Sequence, residues 1–60
     1  MDYYQTPEYL RIKAAQNRKY AEANRETNAR TNGRAGSLYM ADIHDACAEI
    51  AEQQARQNQG

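Results

Sequence analysis

The sequence predicts an all-α protein: an antiparallel two-helix hairpin, with helices over about residues 7–30 and 38–56, dimerising into a four-helix bundle. Three observations lead there. After Pro7 no proline or glycine occurs until Gly33, and the residues between are rich in Ala, Arg, Lys, Gln and Glu, all strong helix formers. Asn32-Gly33-Arg34-Ala35-Gly36 then interrupts the pattern with an Asn-Gly turn signal and two glycines able to take left-handed conformations. A second helix-forming run follows, and so short a connection makes the two helices antiparallel neighbours.

Residues 1–6 read as an arm before the first helix. Thr6 can cap an orphan amide, Pro7 has no amide to leave unpaired, and Glu8 sits at the positive end of the helix dipole. Asn and Thr accumulate from Thr27 to Asn32, where the first helix is expected to fray. Residues 31–37 form the turn, Ser37 can cap the second helix, and residues 57–60 are expected to fray.

Projection at about 100° per residue places Tyr9, Ile12, Gln16, Tyr20, Ala23 and Thr27 on one stripe of the first helix. The second helix carries Tyr39, Met40, Ile43, Ala46, Cys47, Ile50 and Gln54 on its stripe, with Asp42, Asp45, Glu49, Glu52 and Arg56 facing away. Ile43, Ala46 and Ile50 follow the spacing of a coiled-coil seam. The expected self-association residues are therefore Tyr39, Ile43, Ala46, Cys47 and Ile50, with Ile12 and Tyr20 laid over them; Gln16 and Gln54 would set register or oligomer state.

Sixty residues make one domain near the lower size limit for folding unaided. The 40% apolar fraction includes eleven alanines, and there is no Trp, Phe or Val. Small chains compensate for a thin core with disulfides, a metal or oligomerisation. A single cysteine cannot form an internal disulfide, so a homodimer is the expectation; the competing one is a chain that orders only on its partner. No apolar run approaches a membrane span, no export signal opens the chain, and the lone cysteine fits a reducing cytoplasm.

Net charge is zero but unevenly placed. Residues 1–36 hold seven Lys or Arg against four acids, and residues 37–60 one Arg against four acids. A basic helix beside an acidic one suits an antiparallel hairpin. The functional alternative is a nucleic-acid face made of Arg11, Arg18, Lys19, Arg25 and Arg30. Glu8, Glu22 and Glu26 interrupt it, with Arg18–Glu22 and Glu26–Arg30 spaced as pairs along one helix.

No catalytic, cofactor or metal site is expected. His44 and Cys47, three residues apart, form a single pair of potential metal ligands with no second cluster, and Cys47 fits a small buried hydrophobe. The helix 2 carboxylates lack a pocket to shift their pKa values, and phosphate-loop and dinucleotide fingerprints are absent. The tyrosines say more. Tyr3 and Tyr4 lie outside any periodic stripe, Tyr9 just inside it, and tyrosine is enriched at binding hot spots. Tyr3, Tyr4 and Tyr9, together with Arg34 and Leu38 at the turn, are the expected partner contacts; equally, the arm could fold back and staple Tyr4 onto the first helical turn.

In length, two helices, short turn and an Ala41-Asp42-Ile43 stretch, the chain resembles in architecture the repressor-of-primer family of plasmid regulators. The resemblance implies a dimeric four-helix bundle, and it keeps RNA in view as the alternative partner, because that family contacts RNA through one bundle face. The expected function is that of a small, non-enzymatic regulatory or inhibitory protein of phage or mobile-element type. It would bind another protein as a homodimer, with nucleic-acid regulation and then scaffolding as alternatives.

Overall fold

The computed structural model describes residues 2–59: a 3-10 turn at Tyr3–Gln5, helix α1 at Pro7–Arg30 and helix α2 at Leu38–Gln59. No strand occurs among the described residues. The helices pack as a hairpin whose Cα trace extends 44 × 14 × 12 Å.

Both helix starts are capped as the sequence suggests. The Thr6 hydroxyl accepts from Tyr9 N at 3.2 Å and donates to the Tyr3 carbonyl at 2.7 Å, which joins arm to helix. Ser37 Oγ accepts from Met40 N at 3.0 Å. The expected fraying from Thr27 does not occur, and α1 continues to Arg30. There Thr31 Oγ1 donates to the Thr27 carbonyl and accepts from Ala35 N, while Asn28 Nδ2 donates to the Gly36 carbonyl. Residues that weaken an isolated helix thus tie its end to the turn. Asn32 and Gly33 take left-handed φ values of 53° and 84° and terminate α1. Gly36 is more constrained: at φ 79° its Cα lies against Asn24 O and Asn28 N, where a Cβ would collide with backbone.

The end of α2 also departs from expectation. The helix runs to Gln59, because Asn58 Nδ2 donates to the Gln5 carbonyl at 2.7 Å and Gln59 Oε1 accepts from Arg11 at 2.8 Å. Gly60 lies outside the described residues.

The hairpin core is not the pair of apolar stripes. Its fully buried residues are alanines: Ala14 and Ala21 of α1, and Ala41, Ala48 and Ala55 of α2. Within each helix they recur every seven residues, the spacing that keeps one edge of a helix turned to its neighbour. Half-buried Leu10, Asn17, Asn24 and Asn28 fill the remaining seam positions of α1; His44, Ala51 and Asn58 fill those of α2. A methyl side chain lets helix backbones approach closely. The larger groups Ile12, Tyr20, Tyr39 and Ile50 remain 44%, 58%, 74% and 64% exposed.

The polar seam residues are satisfied. Asn17 Nδ2 donates to the Lys13 carbonyl at 3.0 Å, which turns its Oδ1 toward His44 Nδ1 at 2.9 Å. That orientation of the amide suits a His44 ring that donates from Nδ1. Asn24 repeats the arrangement one heptad later: its Nδ2 donates to the Tyr20 carbonyl, and its Oδ1 accepts from Ser37 N at 3.1 Å. No buried side-chain nitrogen or oxygen lacks a partner among the described residues. Register is thus held by Asn17, Asn24, Asn28 and His44. Gln16 and Gln54 bond only to Lys13 and Asn58 of their own helices.

Two predictions test this packing. Ala48→Leu overfills the seam and should cost about 1–3 kcal/mol, read from thermal melts, whereas Ala15→Leu on the exposed surface should stay within ~0.5 kcal/mol. Gly33→Ala, with open space around it, should cost about 1–2 kcal/mol for its left-handed backbone. Gly36→Ala should cost clearly more, because α1 must move away from the turn to admit the methyl.

Candidate interaction surface

The alanine seam divides the hairpin into two unlike flanks. On one, Arg11, Arg18 and Arg25 recur every seven residues along α1 and meet Gln59, Glu52 and Asp45 at the same spacing on α2. Arg18 reaches Glu52 at 2.6 Å and Asp45 at 3.9 Å; Arg25 reaches Asp45 at 2.6 Å and Asp42 at 2.9 Å. The Arg18 hydrogen bond holds the Glu52 carboxyl below its usual range, and Arg18 is raised in turn, chiefly by that same bond. Arg25 is raised by its bonds to Asp45 and Asp42.

This ladder corrects two sequence readings. Arg18 pairs across the hairpin rather than with Glu22 along its own helix. Asp42, Asp45 and Glu52 do not face away from α1: Asp45 and Glu52 are half-buried against its arginines, while Asp42 reaches Arg25 from an exposed position. The five cations considered for nucleic acid are accordingly split, with Arg11, Arg18 and Arg25 engaged across the seam and Lys19 and Arg30 exposed elsewhere on α1. The ladder was readable in principle, since the seven-residue arginine series of α1 and the acids Asp45 and Glu52 at the same spacing on α2 fall on facing edges of antiparallel helices.

The opposite flank is apolar. Helical projection from the buried alanines places Tyr9, Gln16 and Tyr20 of α1 beside Met40, Ile43, Cys47, Ile50 and Gln54 of α2, with Lys13, which bonds Gln16, as the cation on this side. The Tyr20 ring lies 5.3 Å from that of His44, which joins the helices on this side. Ile43 is half-buried, while Tyr39, Ala46, Cys47 and Ile50 are exposed. Cys47 is thus not the buried hydrophobe anticipated; alanines occupy the closest positions of the seam. Of the residues expected to mediate self-association, Tyr20, Ile43, Cys47 and Ile50 share this face, and Ile12, Tyr39 and Ala46 lie at its outer margins.

At the arm end, Tyr3, Tyr4 and Tyr9 form a three-ring cluster with centroids 5.0–5.7 Å apart in edge-to-face arrangement. Asp2, whose side chain accepts from Tyr4 N, and Asn58, which holds Gln5, fix its backbone. The arm is therefore stapled to the first turn, yet Tyr3 and Tyr4 remain more than half exposed. Arg34 and Leu38 are exposed at the other end of the hairpin, so the two sets of expected partner contacts are not adjacent within one chain.

No pocket opens among the described residues, no group of three or more His, Cys, Asp or Glu could hold a metal ion, and no helix is long and apolar enough to cross a membrane. Known protein families, curated proteins and solved structures offer no match to this chain.

The ladder carries a pH signature. Because Glu52 is shifted down from 4.5, its stabilising contribution is present above that pH and lost as pH falls through the lower folded value. Melting temperatures of the wild type and Glu52→Gln should differ at neutral pH and converge below about pH 4.5. In an Arg18→Met background the difference at neutral pH should itself disappear, so that Glu52 and Glu52→Gln melt together at every pH.

Proposed function

We propose that the chain is a small, non-enzymatic regulatory or inhibitory protein that acts by protein–protein contact, as a homodimer forming a four-helix bundle. The observation that carries this reading is the sorting of side chains around the seam. Alanine and asparagine join the two helices, so the larger apolar groups are left on an outer face. Exposed, contiguous apolar surface on a small chain marks an interaction site.

The charge layout favours a protein over a nucleic acid as the target. Arg18 and Arg25 already neutralise acids of α2, and affinity for phosphate scales with the cations free to neutralise it. With the apolar face assigned to self-association, the exposed tyrosine cluster and the turn residues Arg34 and Leu38 are the surfaces offered to the target. Tyrosine gives contact area and a hydroxyl at low entropy cost.

Sedimentation equilibrium of the full chain should give twice the 6.9 kDa chain mass. Ile50→Glu, at an exposed position of the hairpin, should preserve helicity by circular dichroism while weakening dimerisation by roughly a hundredfold or more, the scale of about 3 kcal/mol. Tyr3→Ala/Tyr4→Ala should leave the dimer intact and abolish co-purification of one defined protein. Steeply salt-dependent retention on nucleic acid, reduced by Lys19→Glu or Arg30→Glu, would overturn the protein reading.

A further inference from the structure

The homodimer proposed above leaves open which surfaces meet and in which direction the copies run. Three features bear on this. The Cα trace of the whole hairpin extends 44 × 14 × 12 Å, so one full side offers on the order of 600 Å² in projection before side-chain relief, and a second copy would have to use most of that side to approach the ~800 Å² per partner of a stable specific interface. The central residues of the apolar flank, Tyr20, Ile43, Cys47, Ile50 and Gln54, carry no full charge; the one cation beside them, Lys13, which bonds Gln16, is exposed and its flexible stem can carry the ammonium to the rim, so two such faces meet without burying an ion. A charged heteropartner would gain nothing there, whereas a second copy supplies the same apolar surface.

Direction follows from the ends. The turn end carries Arg30 and Arg34, neither joined to an acid in the ion pairs of the described residues. Two copies with turns side by side would gather four guanidinium groups; reversing one copy separates them by most of the 44 Å length. The spacing along α2 also suits reversal. An axis between Ala46 and Cys47, its smallest outward residues, allows close approach at the centre and sets each Ile43 opposite Ile50 of the partner subunit.

We infer that the occupant of the apolar flank is a second copy running in the opposite direction, with α2 packed on α2 about Ala46 and Cys47. The arrangement rests on the homodimer reading and completes it. Each Tyr39 lies opposite Gln54 of the partner subunit. Within one chain Gln54 bonds Asn58, which holds the arm through the Gln5 carbonyl. Each end of the bundle therefore joins the Tyr3–Tyr4–Tyr9 cluster of one copy to Tyr39 and the turn of the other. The two contact sets that one chain keeps apart become one composite target site, present twice and incomplete in a monomer.

The test is cross-linking with a short bismaleimide, run beside sedimentation. In the wild-type dimer the two Cys47 thiols should link in high yield, since facing helices lie about 8–10 Å apart. In Cys47→Ala/Arg34→Cys the same reagent should give no intradimer product. In Cys47→Ala/Arg34→Cys/Tyr3→Cys it should link position 3 of one copy to position 34 of the other, as peptide mapping of differently isotope-labelled copies would read. A dimer in which Arg34→Cys links to itself, or in which Cys47 does not link, overturns this arrangement and leaves the homodimer standing. A monomer at all concentrations overturns both.

Discussion

Close contact between two helices through alanine is the constraint on which the rest of the molecule depends. Methyl groups at Ala14, Ala21, Ala41, Ala48 and Ala55 exclude water but contribute little area each, and their main effect is geometric. They set a short interhelical distance, at which the next residues around each helix reach across. Arg18 and Arg25 bond the acids of α2 directly, and Tyr20 lies against His44. The asparagines bond the turn backbone because α1 lies so close beneath it, and Gly36 is glycine for the same reason.

The asparagines give the seam what alanine lacks. Two rows of methyl groups interdigitate almost equally well after a one-heptad slip, so alanine fixes distance far better than register. Asn17 against His44, Asn24 against Ser37 and Asn28 against Gly36 have partners in only one register. A slip would break each of these cross-seam bonds, leaving Asn17 and Asn24 only their bonds to carbonyls of their own helix and His44 without its amide partner. Stability and specificity thus reside in different residues of the same seam.

Much of the architecture was legible in the sequence. Thr6-Pro7, Ser37 and the Asn-Gly turn act locally, through neighbours within a few residues, and these boundaries agree with the structure. The core was not legible by hydrophobicity. A periodicity argument ranks Ile12, Tyr20, Ile43 and Ile50 above alanine, whereas the structure buries alanine and exposes most of the larger groups. The signal was spacing: alanine recurs at seven residues in both helices, in step with Arg11, Arg18 and Arg25 on one side and Asn17 and Asn24 on the other. The tyrosine cluster was half legible, because sequence marked Tyr3 and Tyr4 as outside the stripe pattern and Tyr9 as just inside it, but could not orient the arm.

The narrow seam also decides what kind of recognition the molecule can perform. Two helices in close contact leave no pocket among the described residues, and the recognition proposed above accordingly uses area rather than a cavity. The shared flank brings residues of both helices to one flat face, because close helices place their outer residues at similar height. Flat apolar area favours a partner that is itself flat, helical and available at matching concentration. The proposed second copy would meet all three conditions, and in the proposed reversed arrangement the charged ladders would lie outermost, where each side chain keeps water and its pairing partner together. On that reading the Arg–Asp/Glu ladder holds the hairpin in register and keeps the assembled bundle soluble, while the aromatic ends carry the contact with the target.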